Sequence, residues 1–300
     1  TIVVMYPLLL AMRPRQWSKN LLVFFAFLFT LGQELDFGDV DAILDSITRS
    51  SIAFVLFSAT TSAMYLLNDV IDVDHDRAHS VKRSRPVASG AISIWLAIAT
   101  SIALLAFSIP ISFVFEPLFG GILFGYVVLM VSYSCLLKNI MLLDVFSISS
   151  GFVIRAASGA LVLHMPISPW LYACTGLGAL LIALGKRRSE LMQIGDSGVN
   201  TRDTLGRYSV HLVDQLIAIV APSTLLCYTL YTFTAPNVPS DHTLMLTIPF
   251  VVYGLFRYVY IIHNTALGET PEEILLTDIP LIVSILMWLV SAAAILVIFE

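Results

Sequence analysis

Apolar residues in this chain fall into long runs separated by short polar segments, without the strict alternation that marks half-buried strands. A hydrocarbon core takes roughly 20 apolar helical residues per crossing. Runs of that kind lie at about 18–32, 48–67, 91–110, 112–137, 143–164, 168–185, 212–234, 243–263 and 279–299. In the fourth, Pro117 and Gly120-Gly121 threaten to break or delay the helix. The pattern predicts an all-α, polytopic membrane protein of about nine helices. It forms a single membrane domain over 1–300, with polar loops at about 68–90 and 186–211. No cleavable signal peptide is expected within it.

Composition agrees with lipid as the solvent. Of 300 residues, 58% are hydrophobic and only 12% are charged, against about 25% in soluble domains. A net charge of -5 says little; where the charges sit says more. Arg13, Arg15, Lys19, Arg77, Lys82, Arg83, Arg85, Lys138, Lys186, Arg187, Arg188, Arg202 and Arg207 all fall in one set of loops, and only Arg49 near the other. That bias predicts a cytosolic N-terminus and cytosolic polar loops. The polar loops follow the second and sixth spans, which hints at two similar four-helix halves. Cys135, Cys174 and Cys227 sit in apolar sequence without metal-ligand spacing and read as core residues.

The first polar loop carries Asn68, Asp69, Asp72, Asp74 and Asp76, then His79, Lys82, Arg83, Arg85 and Pro86. Asp69, Asp72 and Asp76 are three and four residues apart, which places them on one stripe of a continuous helix. Clustered carboxylates repel unless a cation joins them, and Mg²⁺ is satisfied by one or two carboxylates plus substrate phosphates. Asp74 points elsewhere. Lys82, Arg83 and Arg85 suit phosphate oxygens, or simply mark the cytosolic side; His79 is a weaker phosphate donor.

The second polar loop opens with Gly185-Lys186-Arg187-Arg188-Ser189-Glu190 and runs through Arg202, Asp203, Arg207 and Tyr208 to Asp214. Its cations suit an anion, and Glu190 either completes a metal shell or pairs with Lys186 one turn away. Gly195, Ser197, Gly198 and Asn200 mark a flexible lid. Arg155 lies inside the fifth span, where a charge costs about 2.5–3.5 kcal/mol on insertion scales. It must face the bundle interior or a wet cavity, as an anion ligand or in a buried pair. Arg257 is similar but nearer a span end. The run Arg13-Pro14-Arg15-Gln16-Trp17-Ser18-Lys19-Asn20 is an interfacial anchor or a grip on a lipid phosphate.

The spacing Asn68-Asp69-x-x-Asp72-x-x-x-Asp76, followed by Lys82 and Arg85-Pro86 between two membrane helices, resembles the first acidic motif of the UbiA-type intramembrane prenyltransferase superfamily. Members carry a second Asp-rich motif after the sixth helix, and here Lys186-Arg187-Arg188-Ser189-Glu190 stands in that place. That exchange, with the stretches 13–20, 185–187 and 268–273, is similar to the decaprenyl-phosphate phosphoribosyltransferase branch.

The resemblance implies transfer of 5-phosphoribose from phosphoribosyl diphosphate to a polyprenyl phosphate, with Mg²⁺ as cofactor. Asp69, Asp72 and Asp76 would hold the metal, with Asn68 orienting the shell. Lys186, Arg187, Glu190 and Tyr208 would serve the donor, and Lys82, Arg83 or Arg85 its 5-phosphate. Arg155, Arg15 or Lys19 would steer the lipid phosphate. Expected partners are these substrates, membrane lipids and a further copy of the chain, without nucleic acid. Two alternatives stand beside this reading: prenyl transfer to an aromatic acceptor, which wants a second compact acid cluster, and a transporter, which wants polar groups at mid-bilayer.

Overall fold

Small residues let membrane helices approach closely, and hydroxyls on them find partners on neighbouring helices. The longest helix here shows both. In a computed structural model, the described residues are 2–30, 40–79, 81–165, 169–197, 205–235, 238–264, 274 and 277–298, and they contain no strand. The helices are α1 (Ile2–Ala11), α2 (Phe25–Thr30), α3 (Val40–Ile71), α4 (Val73–Ala78), α5 (Ile94–Phe115), α6 (Pro117–Cys135), α7 (Leu143–Leu163), α8 (Pro169–Ser197), α9 (Val210–Thr234), α10 (Ile248–Asn264) and α11 (Ile279–Ile298). Short 3₁₀ segments lie at Pro14–Phe24, Lys82–Ser84, Leu137–Asn139, Leu205–Arg207 and Thr243–Thr247.

Seven of these are long and apolar enough to cross a membrane: α3, α5, α6, α7, α9, Thr243–Asn264 and the α11 stretch Ile279–Leu296. The chain is a multi-pass, all-helical membrane protein. Nine spans were expected. One of the remaining two falls on the 3₁₀ segment and α2, running into residues 31–39 outside the described set. The other falls on α8, a 29-residue helix that carries the Lys186-Arg187-Arg188 run in its second half. Pro117 does not break the fourth span. It opens α6 at the first helical turn, where its missing N–H is no loss, and Glu116 alone separates α5 from α6. The expected lid is partly helix, since α8 runs through Ser197; residues 198–204, with Arg202 and Asp203, lie outside the described residues, as does 268–273.

The chain forms two compact units. The first comprises residues 1–25, 45–138 and 154–164. Phe57, Phe119, Leu123, Ala53 and Val162 are fully buried at its centre. Hydroxyls tie its helices together: Thr60 Oγ1 donates to Ser108 Oγ at 2.8 Å, and Ser101 Oγ to the Ala63 carbonyl at 2.9 Å. The 3₁₀ segment Pro14–Phe24 is pinned to α3. Trp17 Nε1 donates to Ser62 Oγ at 2.9 Å, and Asn20 Nδ2 to Ser58 Oγ at 3.0 Å. Against α7 the segment comes so close that a Cβ on Gly159 would stand 1.9 Å from the Val23 carbonyl oxygen. Only glycine fits there.

The second unit comprises residues 26–44, 139–153 and 165–300. Its apolar centre includes Leu181, Leu184, Val213, Ile217, Ile262 and Leu281. Tyr228 Oη accepts from Trp288 Nε1 at 2.7 Å and shares a hydrogen with Thr247 Oγ1 at 2.5 Å. Asp278 caps α11: its Oδ1 accepts from the Leu281 N–H at 3.0 Å.

Candidate active site

The end of α3 brings Asn68 and Asp69 to the last turn of a long apolar helix. The backbone bends at Asp72 (φ −91°, ψ 7°), and α4 restarts at Val73. Helical hydrogen bonding bridges the bend, from the Asp72 N–H to the Asn68 carbonyl at 2.9 Å and from the Asp76 N–H to the Asp72 carbonyl at 2.8 Å. The bend divides the carboxylates into two sets where one stripe was expected. Asp69 and Asp76 are both buried and share Arg85: its Nη1 lies 2.7 Å from Asp76 Oδ2 and 3.4 Å from Asp69 Oδ1. Arg13 also pairs with Asp69 Oδ1, from a left-handed backbone at φ 53°. Asp72 turns away from both, pairing with Lys138 and accepting from Asn68 Nδ2 at 3.1 Å. Ser134 Oγ donates to Asn68 Oδ1 at 2.9 Å and fixes that amide. Asp74 is exposed beside Arg77.

Among the described residues no group of three or more His, Cys, Asp or Glu side chains is gathered as a metal shell. Whether the residues fit a hard cation turns on Asp69. Its Oδ2 is buried and takes no hydrogen bond. A buried carboxylate oxygen left without a donor is costly, and a cation bound there would satisfy it. Asp69 and Asp76 therefore fit the one or two carboxylates that Mg²⁺ needs beside substrate phosphate. The arginines hold the pair together without one.

The basic run after α4 disperses. His79 Nδ1 accepts from the N–H groups of Val81 at 3.2 Å and Lys82 at 3.3 Å, so it shapes the Lys82–Ser84 turn. Arg83 is exposed, Lys82 half-buried. Arg85 faces the acids, pairing with Asp69 and Asp76. Arg15 is exposed and Lys19 half-buried on the 3₁₀ segment.

Arg155 is buried, as its place within an apolar helix required. Its Nε donates to Asn20 Oδ1 at 2.8 Å and its Nη2 to Tyr126 Oη at 2.9 Å. The guanidinium also lies over the rings of Tyr126 and Phe57, 5.0 and 5.3 Å from their centroids. These contacts anchor the 3₁₀ segment through Asn20.

The second unit holds its own polar cluster. Asp144, Arg187 and Tyr208 are each less than a tenth exposed. Tyr208 Oη accepts from the Leu142 N–H and donates to Asp144 Oδ1, both at 2.8 Å. Asp144 Oδ2 lies 3.2 Å from Arg187 Nε, close enough for an ion pair but not aligned as a hydrogen bond. Arg187 Nη1 pairs with Glu190 one turn on. Burial, and then the hydrogen bond to Asp144, push the Tyr208 phenol well above its ordinary value, so it keeps its proton. Arg188 points elsewhere, to Asp214 at 2.7 Å and the Ile262 carbonyl at 2.9 Å. Lys186 is half-buried. Sequence reasoning passed over Asp144, and read Arg13 as part of an interfacial anchor or lipid-phosphate grip and Lys138 as a cytosolic charge. For Asp144 a signal was present, since an acid opening an apolar span needs a partner as much as Arg155 does.

Comparison with known proteins gives the family. The pattern of the UbiA prenyltransferase family matches residues 40–192. The decaprenyl-phosphate phosphoribosyltransferase of Mycolicibacterium smegmatis is 34% identical over 298 residues, covering 96% of this chain and 91% of that protein. Its namesake from Mycobacterium tuberculosis is 32% identical, covering 95% and 92%. A UbiA homolog from Archaeoglobus fulgidus, solved bound to DMAPP and Mg²⁺, superposes with a TM-score of 0.71 at 17% identity, over 97% of this chain and 99% of that one. By family pattern, by whole-length relatives and by fold, the chain belongs to the UbiA prenyltransferase family.

Proposed function

We propose that the chain transfers 5-phosphoribose from phosphoribosyl diphosphate to a polyprenyl phosphate of the decaprenyl type, releasing diphosphate. The observation that carries this reading is the likeness, over almost the whole chain, to relatives named for that activity. The charge pattern supports it. A prenyl diphosphate site of the two-metal kind wants a second compact acid group. Here the corresponding helix presents Lys186, Arg187 and Arg188, with Arg187 and Arg188 already matched to acids.

In this reading the acceptor phosphate oxygen attacks the anomeric carbon, the bond from that carbon to diphosphate breaks, and the electron pair leaves with diphosphate. The acceptor is already an anion, so no general base is required. Asp69 and Asp76 would hold Mg²⁺, and a metal there would supply positive charge to the leaving diphosphate, while Asp72 stays with Lys138 and Asn68. Arg85 and Arg13 steady the carboxylates and offer guanidinium donors to phosphate oxygens. Positioning and electrostatics carry the rest of the barrier reduction. The site works at the cytosolic face of a bacterial-type cytoplasmic membrane, where a soluble phosphorylated donor is available.

The family's own description favours one rival, prenyl transfer, which is tested here with an aromatic acceptor. Purified protein is given Mg²⁺ with labelled phosphoribosyl diphosphate and polyprenyl phosphate, and separately a prenyl diphosphate with an aromatic acid. Labelled phosphoribosyl lipid in the first mixture is expected. Prenylated aromatic acid alone would overturn the assignment while leaving the family intact.

A further inference from the structure

Arg188 ties three helices of the second unit together. Its Nη1 donates to the Ile262 carbonyl in the last turn of α10 at 2.9 Å, and its Nε to Asp214 Oδ1 on α9 at 2.7 Å. The next residue of α10, His263, comes to the same oxygen: its Nε2 stands 3.3 Å from Asp214 Oδ1. Its other ring nitrogen, Nδ1, stands 2.8 Å from the Val259 carbonyl one turn back. The Arg188 side chain is 11% exposed, whereas those of Asp214 and His263 are 35% and 32% exposed. Water therefore reaches the imidazole, and a proton can come and go.

A carbonyl oxygen only accepts, so the Val259 contact requires a hydrogen on Nδ1. That leaves Nε2 as the nitrogen that gains and loses a proton. In the neutral ring Nε2 turns a lone pair toward a carboxylate oxygen, which repels it. In the imidazolium it turns an N–H toward that oxygen, and the contact becomes an ion pair. The last turn of a helix favours a cation as well. Of the other charged groups on these helices, His211 on α9 is exposed one turn before Asp214, and Lys186 on α8 is half-buried. Arg187 and Glu190 pair with each other, and Arg257 on α10 is turned to Asp278. We infer that His263 is a proton-operated clip. Protonated, it fastens the end of α10 to Asp214 of α9 and, through the shared carboxylate, to Arg188 of α8. Deprotonated, it lets that end slacken. Imidazole changes charge between about pH 5 and 8, so the three helices are tied more tightly at low pH than at high pH. None of the three residues has a part in the proposed transfer, and the clip stands apart from the phosphoribosyl reading.

Nitrogen magnetic resonance of the histidine rings is recorded on the purified full chain at about pH 5 and about pH 8. The His263 signals are identified by their loss in His263→Gln. Nδ1 keeps its hydrogen at both values, and Nε2 carries one only at the lower. A neutral ring with its hydrogen on Nε2 overturns the inference. Hydrogen–deuterium exchange of the peptide spanning 255–264 is then compared between wild type and His263→Gln at each pH, so that the intrinsic pH dependence cancels. A partly exposed ion pair predicts about two- to fivefold slower exchange in the wild type at about pH 5, and equal exchange at about pH 8. In an Asp214→Asn background the same substitution changes nothing at either pH. A wild-type advantage equal at both values, or absent from both, overturns the inference. So does a pH-dependent advantage that survives Asp214→Asn, since another group would then read the proton. If Asp214→Asn fails to fold, the ring signals and the comparison with His263→Gln still decide.

Discussion

At the scale of residues, spacing singled out the acids of the first motif but predicted one stripe of them, and it gave no sign of their partners. A three-and-four spacing is a local property, whereas Arg13 and Lys138 reach Asp69 and Asp72 from 56 and 66 residues away. Asp69 is the acid on which the metal proposal leans. Its Oδ2 is buried without a donor, and Asp69→Asn removes the charge while keeping the shape. We expect turnover to fall about a hundredfold or more, with weaker binding of Mn²⁺ followed by electron paramagnetic resonance. Normal Mn²⁺ binding would remove Asp69 from the metal site. Arg155 carries a contrasting expectation. The cost of burying it announced a special role, yet its hydrogen bonds go to Asn20 and Tyr126. Arg155→Met strands both of those oxygens, at about 1–3 kcal/mol each. We expect a lower Tm, by several degrees in detergent. Unchanged Tm with a raised KM for the lipid phosphate would restore its reading as an anion ligand.

At the scale of elements, apolar run length foretold most helices, because lipid leaves the backbone no other way to satisfy itself. What it could not foretell was how closely elements approach. The Gly159 contact with the Val23 carbonyl is set by packing against a 3₁₀ segment, and no periodicity encodes that. Gly159→Ala forces backbone apart, so stability falls by about 1–3 kcal/mol, in keeping with overpacking, and Tm falls with it. An unchanged Tm would show that the segment shifts freely. The start of α11 offers a test in pH. Arg257 donates to both oxygens of Asp278, at 3.0 and 2.8 Å. This holds the Asp278 carboxyl below its ordinary 3.8. A depressed folded-state pKa gives stability that is present above the unfolded value and lost as pH falls through the folded one. Asp278→Asn keeps a cap but not the charge. Its Tm deficit should be visible at pH 6 and close below pH 3.8. A deficit constant across that range would assign it to the cap alone.

At the scale of the whole molecule, the open point is how many times the chain crosses the bilayer, and it can be settled with two labels. Between Ser84 and Ser240 run α5, α6, α7, α8 and α9. Four of these meet the length and hydropathy of a span, and α8 is the fifth helix. From Pro169 to Gly185 α8 carries no charged residue, and its cations begin at Lys186. Such a segment is barely long enough to cross, with the cations stopping at one surface. If α8 crosses, five passes separate the two serines and they face opposite compartments. If it does not, four passes return them to the same one. The cationic bias adds the direction: Lys82, Arg83 and Arg85 flank Ser84, whereas residues 238–242 hold no lysine or arginine. Both serines are exposed, so each is replaced by cysteine in a background where Cys135, Cys174 and Cys227 are alanine. A membrane-impermeant maleimide should then label Ser240→Cys in intact cells, and Ser84→Cys only after the membrane is opened. The reverse pattern would invert the orientation and move the acid cluster away from soluble donor. Equal labelling of both in intact cells would remove α8 from the count of crossings.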